Sequence, residues 1–381
     1  MRRYIGLEWD EVARAAGSRR VSAPWVLATL GLGGVAWLVQ HQGVPWLLGS
    51  GDAWEYAEMA RRLARGEGFT TGVVYPAELW LGAGADHPAV KFPPLWPLLL
   101  AGPFALFGAG DAVAHATTGV VFATLVAVCS ALATVLAGRG AGAVAALAVA
   151  TQPWSLWLAV DAVSEPLFAL TGAAGFLALA LRAAPLWIGV ACGLAYLARY
   201  NGAVLLPVAL ALLWWRARSP RALALCAAGF LACVLPWWVR NLWVVGDPFY
   251  SLLNLNLYIA PLMTRVGGSL FFQLEPDLAS GVAADPLRKA LAQLPLLLGR
   301  LPFASANLAA FAGVAWGCWR RDRLCLGFAV VAVATLGVVA LALALGRYFV
   351  PLVPVMLALG AAAWVNHGGR LRAPALALLL L

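Results

Sequence analysis

The sequence predicts an all-α polytopic membrane protein, and three observations carry that reading. Of 381 residues, 63% are hydrophobic and only 11% are charged, whereas about a quarter of the residues in an ordinary soluble domain are charged. Apolar runs recur along most of the chain, many of them long enough to cross the hydrocarbon core of a bilayer. The basic residues sit in short tufts between those runs, which is how topology is set in membrane proteins. That distribution also argues against nucleic acid as a partner. The net charge is +9 and the isoelectric point near 9.6, but no soluble basic face is assembled.

The elements follow in order, and residues 1–381 read as one membrane domain. Residues 1–21 mix Arg2, Arg3, Arg14, Arg19 and Arg20 with Glu8, Asp10 and Glu11. No small-residue cleavage site follows the first apolar run, so this is read as a cytoplasmic segment before an uncleaved span and not as a signal peptide. That span is Ser22 to His41. A long first extracytoplasmic loop, 42–93, comes next. Within it Gly49-Ser50-Gly51-Asp52 forms a helix-start signal. Trp54 to Arg65 then places Tyr56, Met59, Ala60 and Leu63 on one stripe, with Glu55, Glu58, Arg61, Arg62 and Arg65 elsewhere. This pattern predicts an amphipathic helix at the membrane surface, ended by Gly66 and Gly68. Further spans are expected over 111–137, 141–158, 164–181, 185–198, 203–215, 221–239, 296–318, 324–345 and 349–365. A second large periplasmic loop is expected over 242–290. The candidates at 185–198 and 203–215 fall short of a full crossing and read as tilted or broken helices meeting at Arg199-Tyr200-Asn201-Gly202. The last apolar run, Ala373 to Leu381, is too short to span.

Arginines orient the bundle. Arg139, Arg182, Arg216, Arg218, Arg221, Arg320, Arg321, Arg323, Arg370 and Arg372 all fall on the amino-terminal side when about ten spans are counted. Counting Leu95 to Gly108 as a span would put Arg139 and Arg182 outside. Its Pro97 and Pro103, after Pro93 and Pro94, also favour a re-entrant or interfacial helix. Of the 17 acidic residues, all but Glu8, Asp10, Glu11 and Asp322 then lie on the outer side. The six cysteines lie in or beside apolar runs and form no CxxC pair, so neither a disulfide framework nor a zinc site is indicated. Lys91 and Lys289 are the only lysines among 26 basic residues, which, with abundant Ala, Gly and Trp, points to a GC-rich bacterial genome.

Four outer places combine charge with helix ends: Asp52 with Glu55; Asp86-His87 before Lys91; Asp161 with Ser164-Glu165-Pro166; and the arginines Arg199, Arg240 and Arg347. Ionisable groups of both signs at membrane depth are expensive, and their gathering on one face predicts a shared cavity. An amphiphilic anion suits it. Arginine offers a planar fork and lysine a point charge for phosphate oxygens. A helix-start Asp52, kept ionised by the dipole, suits a general base. Each residue also has a plainer reading. Asp52 at a helix start is by default an N-cap. Lys91 could snorkel to the interface. The outer arginines could anchor the protein or pair structurally with Asp161 and Glu165, and Glu55 and Glu58 read as a solvated helix face. Asp86-His87 makes a weak metal site because adjacent ligands seldom suffice, so no cofactor is expected and a divalent metal is not favoured. His41, His115 and His367 look incidental.

The order of segments resembles the GT-C superfamily of polyprenyl-phosphate-sugar-dependent glycosyltransferases. It is most similar to the bacterial branch with protein O-mannosyltransferases and lipid A aminoarabinose transferases. The resemblance rests on Gly51-Asp52-Ala53-Trp54-Glu55-Tyr56, Ala60-Arg61-Arg62-Leu63-Ala64-Arg65-Gly66 and Lys91-Phe92-Pro93-Pro94-Leu95-Trp96-Pro97. Ser164-Glu165-Pro166, Ala198-Arg199-Tyr200, Trp237-Trp238-Val239-Arg240-Asn241 and Arg347-Tyr348-Phe349-Val350-Pro351 complete the set, which spans about residues 20–365. The resemblance implies a GT-C-like bundle of about ten transmembrane helices, with interfacial helices in its long first extracytoplasmic loop. It implies that Asp52 matches the catalytic aspartate, Lys91 the lysine that contacts lipid phosphate, and Asp161 the acid of the second outer loop. Two features depart from the pattern. Ala53 stands where many members carry a second acid, and the residues after about 365 lack the further spans or soluble domain with which members often continue.

The expectation is therefore an inverting glycosyltransferase at the outer face of the bacterial inner membrane. Its donor would be a polyprenyl-phosphate sugar and its acceptor a lipid, glycan or protein hydroxyl. Asp52 and Asp161 would be catalytic, and Lys91, Glu55, Glu165, Arg199, Arg240 and Arg347 would bind substrate. The competing expectation is a transporter or flippase for a lipid-linked sugar, which also places charges between broken helices. Against that, the chain shows no halves of matching hydropathy, and its charges gather on one face.

Overall fold

The computed structural model describes residues 21–44, 47–80, 82, 84–257, 286–300, 307–341 and 346–380. The expected amino-terminal segment and most of the second large loop lie outside the described residues. Helices dominate: α1 (Ala23–His41), α2 (Gly51–Ala64), α3 (Pro76–Trp80), α4 (Leu95–Phe107), α5 (Asp111–Ala137), α6 (Arg139–Thr151), α7 (Pro153–Ala159), α8 (Glu165–Ala180) and α9 (Pro185–Ala198). They continue with α10 (Leu205–Ala217), α11 (Pro220–Val245), α12 (Pro286–Arg300), α13 (Leu308–Trp319), α14 (Arg323–Leu341), α15 (Val353–His367) and α16 (Arg372–Leu378). Two two-residue strands, β1 (Thr70–Thr71) and β2 (His87–Pro88), pair antiparallel and close the base of the first loop.

Among the described residues, five helical runs suffice by length and composition to cross a membrane: α1, α5, α11, α14 and Arg347–His367. The remaining expected spans appear as shorter apolar helices, and the reason is local. The run 141–158 breaks at Gln152-Pro153, because proline cannot donate into the preceding turn. Gln152 turns the break into a new helix start, its side chain accepting from the Ser155 amide at 2.7 Å. Of the expected run 296–318, the described residues belong to α12, described to Arg300, and to α13, described from Leu308.

The core centres on α5 and α15. Every residue of α15 from Val353 to Trp364 is buried. α1, α6 and α8 pack around α5, and α13 covers α15. Beside this group α9 and α11 form the tightest pair. A Cβ at Gly189 would lie 1.9 Å from the Cys226 carbonyl oxygen, and one at Gly229 would lie 2.1 Å from that of Leu186. Close backbone approach through small residues is how helices associate where water supplies no hydrophobic drive between them.

Helix direction sorts the charges. Asp111 at the start of α5 accepts from the Leu48 amide at 3.4 Å, so α5 begins beside the first loop. Its 27 residues run about 40 Å to the opposite end, where Arg139 starts α6. Arg182, Arg216, Arg218, Arg221, Arg320, Arg321 and Arg323 occupy the turns at that opposite end. The described acids other than Asp322 lie at the first-loop end. α4 does not run between the two ends. It starts next to Lys91, with Trp96 Nε1 donating to Ala162 O at 2.8 Å, and ends at Phe107, four residues before Asp111. Both of its termini therefore sit at the first-loop end, as the prolines around it predict.

Candidate active site

The site is built at the start of α2. Ser50, with extended backbone, caps that helix by accepting from the Ala53 amide at 3.2 Å. Asp52 is therefore not the cap. With the cap supplied by its neighbour, its carboxylate points into the bundle, where Arg347 binds it and Lys91 Nζ lies 3.8 Å away. One turn along, Glu55 sits on the same face, which corrects its reading as a solvated residue. It is 2% exposed, accepts from Lys91 Nζ at 2.9 Å, and accepts from the Tyr75 hydroxyl at 2.7 Å. The reason is periodicity: residues 52, 55, 56, 59 and 60 form the inward stripe, and α4 packs against it. Glu58 faces outward and pairs with Arg61 at 2.7 Å and Arg62 at 2.6 Å.

Lys91 comes from the turn between β2 and α4. Its ammonium lies 4.1 Å from the Tyr75 ring centre and 4.3 Å from that of Phe92, and it also bonds the Tyr75 hydroxyl. It does not snorkel; its side chain is 4% exposed. The backbone beside it is clamped from the second loop: Ser251 Oγ donates to Lys91 O at 2.7 Å and the Leu252 amide to Val90 O at 3.3 Å.

Glu165, the first residue of α8, continues the cluster. Arg199, which caps the end of α9, lies 3.0 Å from its Oε1, and Arg347 Nε lies 3.7 Å from the same atom. Each charge suits its helix end, an acid at an amino terminus and a base at a carboxyl terminus. Ser164 adds a polar bridge, accepting from Arg199 at 3.1 Å and bonding the Tyr56 hydroxyl at 3.0 Å. The Tyr348 ring lies under both arginines, 5.0 Å from Arg199 and 5.7 Å from Arg347. Three carboxylates, Asp52, Glu55 and Glu165, thus alternate with three cations, Lys91, Arg347 and Arg199.

The environment separates the two acids of α2. Burial acts to raise both. For Asp52 the attraction of Arg347 and Lys91 outweighs it, and the carboxyl titrates below its ordinary value. For Glu55 burial outweighs Lys91 and Tyr75, and the carboxyl is pushed up. Tyr75 is pushed up as well, by burial first and then by Glu55, so its hydroxyl remains a donor.

Two expected members stand outside this network. Asp161 accepts from the Gly49 amide at 3.3 Å and the Ala162 amide at 3.0 Å, so it braces the connection into α2. Arg240, on α11, donates to Phe69 O at 3.1 Å and to Asn241 Oδ1 at 3.0 Å, with the Trp237 ring 4.8 Å away. It fastens the first loop to α11. Asp86 pairs with Arg62 at 2.5 Å, while His87 Nε2 lies 3.3 Å from Glu78, so these adjacent residues face different partners. Among the described residues no three His, Cys, Asp or Glu side chains gather as a metal site. Tyr75, Tyr56 and Tyr348 are the members that sequence reasoning misses as site residues. Their one signal is indirect, since a buried Glu55 or Arg199 demands neutral partners.

No family model and no curated protein sequence matches the chain. Solved structures do. ArnT from Cupriavidus metallidurans bound to undecaprenyl phosphate is 18% identical, with a TM-score of 0.57 over 90% of this chain and 60% of that one. The same protein in the apo state gives 20% identity and a TM-score of 0.59, covering 90% and 59%. The Archaeoglobus fulgidus oligosaccharyltransferase in the apo form gives 15% and 0.57, covering 92% and 52%. The chain spans about three fifths or less of the length of these proteins. The likeness is one of fold: the chain shares with ArnT and this oligosaccharyltransferase a bundle of apolar helices with an elaborated first loop.

Proposed function

We propose that this chain is a GT-C-type glycosyltransferase that moves a sugar from a polyprenyl-monophosphate donor to a hydroxyl acceptor with inversion. The site would face the exterior of the cytoplasmic membrane. The observation that carries the reading is the placement of a half-buried Asp52 between Arg347 and Lys91 within this fold. The undecaprenyl phosphate bound to ArnT supports a lipid-phosphate donor here.

In this reading Lys91 and Arg347 bind the donor phosphate, and Asp52 stands ready on the other side of the sugar. A bound phosphate competes with Asp52 for Lys91 and shares Arg347 with it. Each contact it wins removes a charge that lowers the Asp52 pKa, so donor binding makes the carboxylate a better base. The acceptor oxygen then forms its bond to the anomeric carbon while its proton passes to Asp52. The bond from that carbon to the phosphate oxygen breaks, and the electron pair stays on the lipid phosphate. Lys91 and Arg347 meet the charge that develops there. Glu165 and Arg199 hold Arg347 in line, and Asp161 keeps the connection before Asp52 in place.

Purified protein with a radiolabelled polyprenyl-phosphate sugar tests this. Asp52→Asn should abolish glycoside formation and leave expression and donor binding intact, whereas full activity in that variant overturns the assignment. Movement of unaltered lipid-linked sugar across proteoliposomes without glycoside would favour a flippase instead.

A further inference from the structure

We propose that Glu55 sets the charge of the ligand this site accepts: it holds Lys91 in the empty site and yields it, with uptake of one proton, to a phosphodiester bearing a single negative charge. The proposal rests on the reading of Lys91 as a phosphate-binding cation.

The geometry is that of a committed lysine. Its ammonium is enclosed by the Tyr75 and Phe92 rings and held by Glu55 at 2.9 Å, with Asp52 at 3.8 Å. The cluster is balanced, three negative against three positive groups. A phosphodiester entering it leaves one negative charge uncompensated in a water-poor space, and such a charge is costly unless it is neutralised. Of the three carboxyls, Asp52 is held ionised by Arg347 as well as Lys91, and Glu165 has two arginines. Among the described residues Glu55 has Lys91 alone as a cation. The other groups facing it are Tyr75 and, on its own helix, Asp52, with Glu78 behind Tyr75, and none of these is positive. Burial already disfavours its ionised form.

Taking one proton from solvent onto Glu55 restores neutrality and frees the lysine for a phosphate oxygen. The Glu55 hydroxyl so formed donates to the phosphate or to Tyr75. A diphosphate diester brings a second negative charge, and among the described residues no second carboxyl is paired with Lys91 alone; Glu78, the next buried one, faces His87 and the Tyr75 amide. The site therefore selects monophosphate diesters over diphosphates by charge.

Titration calorimetry on the full chain in detergent tests this, with prenyl methyl phosphate as the singly charged probe and prenyl methyl diphosphate as the doubly charged one. Heats in two buffers of different ionisation enthalpy give the protons exchanged. Wild type should take up close to one proton per phosphate diester above the Glu55 pKa, its affinity falling up to about tenfold per pH unit. The diphosphate should bind at least about tenfold more weakly, one pH-unit equivalent of uncompensated charge. Glu55→Gln should bind the phosphate diester without uptake and with flat pH dependence. Tyr75→Phe, which keeps the carboxyl, should retain uptake. Should Glu55→Gln not fold, the infrared band of a protonated carboxyl appearing in wild type on ligand addition serves instead. Binding without proton uptake or without that band, uptake persisting in Glu55→Gln, or equal affinity for the diphosphate overturns this inference alone. Absence of any binding overturns the reading of Lys91 together with it.

Discussion

Arg199 and Glu165 show how far a single pair of residues governs this site. Both are nearly enclosed, with side-chain exposures of 14% and 2%. Removing one member of a buried pair leaves the other charge uncompensated, which costs about 3–5 kcal/mol. Glu165→Gln is therefore expected to lower thermal stability in detergent strongly. Glu165→Gln combined with Arg199→Gln should be less destabilised than the sum of the single variants, a coupling that a double-mutant cycle measures. The Asp52 carboxyl supplies the second prediction at this scale. Its pKa is depressed, so its stabilising contribution is complete above the unfolded value and is lost only as pH falls through the lower folded value. Glu55 is shifted the other way; its contribution is present in acid and is lost as pH rises through its raised folded value. Turnover at low donor concentration should accordingly rise as pH falls from alkaline toward neutral. It should collapse only below the ordinary aspartate range, near 4. A pH profile of kcat/KM for the donor checks both limbs. A collapse above pH 6 would mean that Asp52 is not the base.

At the scale of the element, the decisive contact is α9 against α11. It fixes where Arg199 and Arg240 end up, and it depends on glycines with no room for a methyl group. Gly229→Ala should cost about 1–3 kcal/mol through overpacking. Gly31→Ala, on the open face of α1, should stay within about 0.5 kcal/mol. Melting curves in one detergent compare the two directly. Elements are also where reading from sequence works best and where it stops. The amphipathic helix after Asp52 was legible because an apolar stripe at helical spacing has one solution. Arg199-Tyr200-Asn201-Gly202 was legible as a junction because two apolar runs were too short; there the chain makes a 3-10 turn at Tyr200–Val204. The break at Gln152-Pro153 was not, since hydropathy does not register a missing amide. Nor was the inward turn of Glu55. Its charge reads as solvated until the residue opposite it, Lys91, is placed 36 positions away. Clamping of Lys91 by Ser251 is a contact of long sequence separation with no local signature.

At the scale of the whole molecule, charge asymmetry and helix direction make the same statement. The outer cluster lies at one end of the bundle, and the arginine-rich turns lie at the other. The proposed orientation takes that second end as cytoplasmic by the positive-inside rule, which would put the proposed donor lipid in the outer leaflet. The path of α4 is the delicate step, because one extra crossing would invert everything from α5 onward. Single cysteines read by a membrane-impermeant maleimide in intact cells settle it, with the unsubstituted chain as background since its own cysteines are buried or half-buried in the described structure. Glu67→Cys, in the exposed turn after α2, should label from outside, whereas Arg218→Cys and Arg320→Cys should label only after the membrane is opened. Ala109→Cys, just past α4, is the informative position. Labelling together with Glu67→Cys means that α4 returns to the face it came from, and that Asp52, Lys91 and Arg347 share one compartment. Labelling of Ala109→Cys only after the membrane is opened, with Arg320→Cys then labelling from outside, would make α4 a crossing helix, and it would separate Arg347 from the two residues it is proposed to serve.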